Sequence, residues 1–206
     1  MKFSNIIIKN KGYVHCKSAF YSCRDVLSSA EYTFTNGINM LNGDIDSGVW
    51  AISYLLSMYK RNSQEFILFD EAVLTVDGKD IQLDDFLSFS CYMDFLYPLF
   101  DTDSSIRTII SDGLEKTQCF ATPDDLKELF QLDSERFDRP IKKVGNEYFK
   151  AMAAIGCAYN KQVFCFPWLS ETRFNYYKRI SDLLNTLEFL NKVVIFPIGK
   201  VNSKAV

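Results

Sequence analysis

Histidine is almost absent: the 206 residues contain one, His15. Any mechanism that needs several histidines is excluded outright. Long hydrophobic runs are missing too, since no stretch approaches the roughly 20 apolar residues of a membrane span. The start, Met1-Lys2-Phe3-Ser4-Asn5, opens a short strand at Ile6-Ile7-Ile8 rather than a signal peptide. Lysine and arginine form no long cluster, and 23 basic against 26 acidic side chains leave a net charge of -3. That charge gives no electrostatic footprint for nucleic acid. The six cysteines, at 16, 23, 91, 119, 157 and 165, form no Cys-x-x-Cys pair and cluster with no histidine, so neither zinc nor another metal is expected. Cys91, Cys157 and Cys165 lie among apolar neighbours and read as small core hydrophobes. His15 and Cys16 are adjacent in a strand, which points them to opposite faces and out of reach as a dyad.

What the chain has in quantity is apolar side chains, 48% hydrophobic with 15% aromatic. Over a length typical of one large domain, that supplies a sizeable core and excludes disorder. The expectation is a cytoplasmic protein that reaches the inner face of the membrane only through a partner.

Ile6 to Ile8, residues 13 to 20, Glu31 to Thr35 and Ile38 to Leu41 read as short strands, with Asn36-Gly37 as a hairpin turn between the last two. A helix follows from about Val49 to Lys60. Glu65 to Phe69 and Ala72 to Val76 return to strand, and Asp77-Gly78 is a second turn. The stretch from about 102 to 150 is helical and more charged. Thr122-Pro123-Asp124-Asp125 opens a helix there with a cap, a proline at its first position and acids in its first turn. In the last third, a helix from Asn146 to Ala158 precedes the apolar strand Val163 to Phe166. Ser170 then caps a helix through Leu190, before Val193 to Phe196. Short apolar strands alternating with helices predict a parallel sheet covered on both faces.

The most informative stretch is Gly43-Asp44-Ile45-Asp46-Ser47-Gly48-Val49-Trp50, between an apolar strand and a helix. Glycines five apart in that setting have the layout of a phosphate loop, where backbone N–H groups curl around phosphates at a helix N-terminus. A lysine and a Ser/Thr hydroxyl complete such a loop, the first for the outer phosphates and the second for magnesium. Val49 and Trp50 stand in those two places. Two glycines five apart also fit an ordinary strand-to-helix turn.

In order and spacing, residues 3 to 199 resemble the ATP-binding subunit of ABC transporters. Val73 to Ile81 is similar to the strand and turn after the family's phosphate loop. Tyr97-Pro98-Leu99-Phe100 with Ser105-Ile106-Arg107 looks like the segment after its Q-loop, leaving Tyr92, or Cys91, at the glutamine position. Lys143-Val144-Gly145-Asn146-Glu147 stands where the family has its Leu-Ser-Gly-Gly-Gln signature. The strand 163 to 166 ends in Pro167-Trp168 where the Walker B Asp-Glu pair belongs, and the switch histidine falls on or near Ile198.

The resemblance implies a single α/β domain over residues 1 to 206. It would have a P-loop NTPase-like parallel core, an N-terminal antiparallel β portion and an inserted helical lobe at about 102 to 150. It also implies a degenerate, catalytically inactive subunit. Losing a charge-assisted lysine contact forfeits roughly 1.5 to 3 kcal/mol. Asp44 and Asp46 would each repel a phosphate by roughly 3 kcal/mol at about 6 Å and an effective dielectric near 20. No cofactor is expected, weak ATP binding apart, and an indole at Trp50 could close the loop. Family context points to bacterial transport. The implied partners are a membrane permease, whose groove could involve Tyr92, Phe95, Tyr97 and Phe100, or a second ATPase subunit in a homo- or heterodimer. Core packing accounts for the same aromatic run equally well. The alternative is an ATP-binding or ATP-hydrolysing protein whose acids are Asp70 and Glu71, at the end of the strand Phe66 to Phe69.

Overall fold

The computed structural model describes residues 3–10, 14–17, 24–27, 30–44, 47–58, 66–68, 72–93, 103–170 and 178–199. In chain order its strands are β1 Asn5–Asn10, β2 Val14–Lys17, β3 Arg24–Leu27, β4 Ala30–Thr35, β5 Gly37–Asn42, β6 Phe66–Leu68, β7 Ala72–Val76, β8 Lys79–Ile81, β9 Ser90–Tyr92, β10 Val163–Cys165, β11 Leu169–Ser170 and β12 Val193–Gly199. Its helices are α1 Val49–Met58, α2 Leu83–Leu87, α3 Ile106–Thr117, α4 Pro123–Leu129, α5 Ser134–Phe137, α6 Tyr148–Ala158 and α7 Lys178–Phe189.

The strands form three sheets. β4, β1, β7 and β8 make an antiparallel sheet in that order, and β3, β2 and β6 a second one. The third is parallel, with β5 along one edge of β12. β10 and then β11 pair along the other edge of β12, and β9 pairs β10. β10 and β12 are continuously apolar because both their faces are covered, whereas β5 carries Asn39 and Asn42 and is partly exposed. Phe164, Val194 and Phe196 point into a core shared with α3, α6 and α7, while Val163, Cys165, Val193 and Ile195 point into one shared with α1 and β1.

α1 is buried from Val49 to Ser57. It touches β9, β10 and β12 on the parallel sheet and β2 and β3 on the small antiparallel one. Enclosure by sheets explains a helix that is apolar nearly all round.

Between β9 and α6 the described residues form the helices α3, α4 and α5. Ser105 caps α3 by accepting from the Thr108 N–H at 3.1 Å. Thr122 and Asp125 form a reciprocal capping box at the head of α4.

Two expectations change. Asn36-Gly37 is not a hairpin: β4 pairs β1 while β5 pairs β12, so the chain leaves one sheet and enters another at that point. Gly37 permits the switch with φ of +92°, and the Asn39 side chain spans it. Asn39 accepts from the Thr35 N–H at 3.0 Å and donates to the Thr35 carbonyl at 2.8 Å. The helix expected from Ser170 is described only as α7, because Ser170 itself lies in β11 and residues 171–177 lie outside the described residues.

Candidate functional site

The phosphate-loop-like segment leaves the end of β5, where the Gly43 N–H donates to the Ile198 carbonyl of β12 at 3.0 Å. Asp44 is exposed, and its carbonyl accepts from both the N–H and the hydroxyl of Ser47, at 3.1 and 2.5 Å. Gly48 turns the chain into α1 with φ of +87°. Ile45 and Asp46 lie outside the described residues. The space beside the Gly43 Cα is occupied: a Cβ there would lie 2.3 Å from Ser47 Oγ and 2.9 Å from Val49 Cγ1.

The two positions after Gly48 face the core. Val49 is 7% exposed and Trp50 4%. The Trp50 indole N–H donates to the Tyr92 hydroxyl at 2.9 Å, in a buried pair that Tyr54 flanks edge-on with ring centroids 5.3 Å apart. Tyr92, at the end of β9, is therefore a core residue, 1% exposed. Phe95, Tyr97 and Phe100 lie outside the described residues.

The indole that reaches the loop is that of Trp168. Counting from Cys165, opposite Ile195, to Leu169, opposite Ile198, the β10–β11 edge advances four residues while β12 advances three. That extra residue is a bulge, a device that re-aims a side chain. It falls at Phe166-Pro167-Trp168, where Pro167 has no N–H for the ladder. From there Trp168 lies across the end of β12 and donates its N–H to the Gly43 carbonyl at 3.0 Å. A Cβ on Gly199 would come within 2.1 Å of the ring, so a residue without a side chain is required beneath it. Sequence reasoning missed Gly199; the available hint was a proline next to a tryptophan at the end of an apolar strand.

The strand end carries no carboxylate among Phe166, Pro167 and Trp168, and Ser53 of α1 donates its hydroxyl to the Phe166 carbonyl at 2.6 Å. Ile198 contributes a backbone carbonyl and an apolar side chain. Burial pushes the Cys165 thiol far above its ordinary value, so it is no nucleophile at neutral pH. Among the described residues no cluster of His, Cys, Asp and Glu could hold a metal ion.

The signature-like residues sit in a tight turn before α6. Gly145 has φ of +63°. The Asn146 side-chain oxygen accepts from the Arg136 guanidinium, and Glu147, buried, accepts from the Asp133 N–H at 3.1 Å at the head of α5. Asn146 and Glu147 are thus tied within the lobe. Asp70 and Glu71 lie outside the described residues. The strand leading toward them, β6, belongs to the three-stranded antiparallel sheet and not to the parallel one.

The structure therefore brings together the loop, Tyr92, Trp168, Ile198 and Gly199 at the carboxyl ends of parallel strands, where open α/β sheets bind ligands.

No family model and no curated protein sequence matches the chain. Solved structures do. A putative ABC transporter ATP-binding protein from Pyrococcus furiosus superimposes with a TM-score of 0.60 at 9% identity, over 98% of this chain and 94% of that one. A bacterial Atm1-family ABC exporter solved with ATP bound gives a TM-score of 0.55 at 14% identity, over 97% of this chain. The alignment spans 34% of the exporter chain. No described helix is long and apolar enough to cross a membrane. The likeness is one of architecture: the chain shares the mixed α/β fold, with its parallel sheet, of these two structures.

Proposed function

We propose that this chain is an ABC-type ATPase subunit that does not hydrolyse ATP and acts, as one domain over its whole length, through protein contacts. Its partner is a membrane permease or a competent ATPase subunit in bacterial transport, met at the cytoplasmic face of the membrane. The observation that carries this reading is the buried hydrogen bond from Trp50 to Tyr92. In the resemblance, Trp50 stands at the hydroxyl that binds magnesium, and Tyr92, or Cys91, at the Q-loop glutamine. An indole and a phenol bonded to each other inside a core supply neither a magnesium ligand nor an oriented water.

Phosphoryl transfer rests on positioned positive charge, magnesium and an oriented nucleophile. Val49 replaces the cation with a buried aliphatic side chain, and Pro167-Trp168 replaces the acid pair. Gly145 remains where a signature would contribute to a partner's site. Because Asn146 and Glu147 are engaged with Arg136 and Asp133, the chain acts as a structural or regulatory subunit on that side too.

The test is a calorimetric titration of the full chain with ATP, with and without magnesium, at concentrations able to detect millimolar dissociation constants. No magnesium-dependent heat is expected. A saturable, magnesium-dependent isotherm would sink the reading and direct attention to Asp70 and Glu71.

A further inference from the structure

β5 is an edge strand. Its backbone pairs with β12 on one side, and among the described residues no strand pairs with its other side. The Gly37 N–H donates to the Lys192 carbonyl at 2.9 Å and the Gly43 N–H to the Ile198 carbonyl at 3.0 Å, so the odd-numbered residues turn their polar groups toward β12. The residues between them face the opposite way. The N–H and carbonyl groups of Ile38, Met40 and Asn42 therefore line the outer edge. Such an edge is a template for another strand, and proteins usually blunt it with charge, proline or shortness. The other edges are blunted in this way. β4 carries Glu31, in an ion pair with Lys9 at 3.2 Å, and β8 is three residues long with Lys79 and Asp80. β3 contains Arg24 and Asp25, and β6 and β9 have three residues each. β5 runs for six residues with neither charge nor proline, and Met40 in its middle is 46% exposed.

We infer that the outer edge of β5 binds β5 of a second copy of this chain, antiparallel, about a two-fold axis at Met40. The strand's own symmetry selects that occupant. Centring the pair on Met40 sets Met40 opposite itself and Ile38 opposite Asn42 of the second copy, so every outward residue exchanges both backbone bonds with a counterpart. The layer above the strand fits as well. α7 touches both β5 and β12, which places it over the space between them, one strand spacing of about 4.8 Å from the axis. The rotation then sets the two α7 helices roughly 10 Å apart, at the distance where helices pack. The end of α7 stands at the start of β5, where a Cβ on Gly37 would lie 3.0 Å from Glu188 Oε1, and the next residue, Phe189, is 77% exposed. Antiparallel pairing turns that apolar end toward the far end of the second copy's β5.

Sedimentation of the full chain from about 1 to 100 μM tests the pairing, and a dimer that dissociates on dilution is expected. Met40→Lys and Met40→Glu each put like charges directly opposite across the axis and should each weaken the dimer by roughly tenfold. Mixed in equal amounts, the two variants should regain the dimer, because the axis then joins unlike charges. A wild type that stays monomeric leaves the edge to a strand of another protein and overturns the self-pairing. So does a dimer indifferent to Met40→Lys, or a mixture that behaves as its separate components.

If a variant fails to fold, the wild type still reports. Amide exchange at Ile38, Met40 and Asn42 should slow as concentration rises, while that at Asn39 and Leu41, on the side of β12, stays constant. Exchange independent of concentration overturns the proposal. The inference also fails separately from the functional reading. ATP binding by the wild type would remove the inactive subunit and leave the β5 pair untouched; a monomer with silent ATP titrations would remove only the pair.

Discussion

Asp77 shows how much one side chain at a turn can organise. With Gly78 it forms the two-residue turn between β7 and β8, with φ of +49° and +78° in a geometry suited to the right-handed twist of the strands. Its carboxylate accepts from the Ser4 N–H at 3.0 Å, the Ser4 hydroxyl at 2.5 Å and the Asn5 N–H at 2.8 Å, tying the start of β1 to the hairpin. The hydrogen bond from Ser4 is the main cause that holds its pKa below the ordinary 3.8. A folded-state pKa below the unfolded one stabilises above the unfolded value and loses that contribution as pH falls through the folded one. Asp77→Asn tolerates the left-handed backbone but cannot ionise. The Tm gap between wild type and this variant should thus be open at pH 7 and close below about pH 4; a gap independent of pH would remove the carboxylate from the account. The Asp-Gly pair made the turn legible in the sequence. Its hold on Ser4 was not, because a bond across 73 positions leaves no local pattern.

Among the elements, the packing of α3 on α6 is the closest between two described helices. Gly113 lets the two approach: a Cβ there would lie 2.6 Å from Tyr159 Cδ2 and 3.0 Å from the Ala158 Cβ. The tyrosine cannot easily swing aside, because its hydroxyl donates to Asp112 at 2.9 Å and the Lys116 ammonium sits 5.6 Å from its ring centroid. Gly113→Ala gains about 1 kcal/mol of helix propensity and loses about 1–3 kcal/mol to overpacking. A net loss of roughly 1 kcal/mol in urea unfolding is expected, and a gain in stability would show that the helices are looser than this. The helix start at Thr122 was legible, since it acts through Asp125 three residues away, whereas the cap expected at Ser170 lies in β11. The Asn36-Gly37 turn misled for the complementary reason. The same dipeptide closes a hairpin or lets a strand change sheets, and the outcome depends on β1 and β12, which lie far off in sequence.

At the scale of the whole molecule, the parallel sheet was visible as short apolar runs, because burial on both faces removes the polar alternation. Its strand order was not visible, and with it went the meeting of Trp168, Gly199 and Gly43 across β12. The tryptophan at position 50 could be read as bulk at a helix start, but its bonding to Tyr92 needed the fold. That pair also governs how the protein could change over generations. Installing a Lys-Ser loop would require Trp50→Ser, which empties an indole-sized volume in the core around α1 and removes the indole's bond to the Tyr92 hydroxyl. The expected loss, about 3–5 kcal/mol, consumes a large part of the roughly 5–15 kcal/mol by which a domain of this kind is stable, and chemical denaturation of that single variant measures it. A chain carrying that one change would thus start from a weakened core. The packing of Trp50 thus sets a high threshold for any single polar substitution at the start of α1.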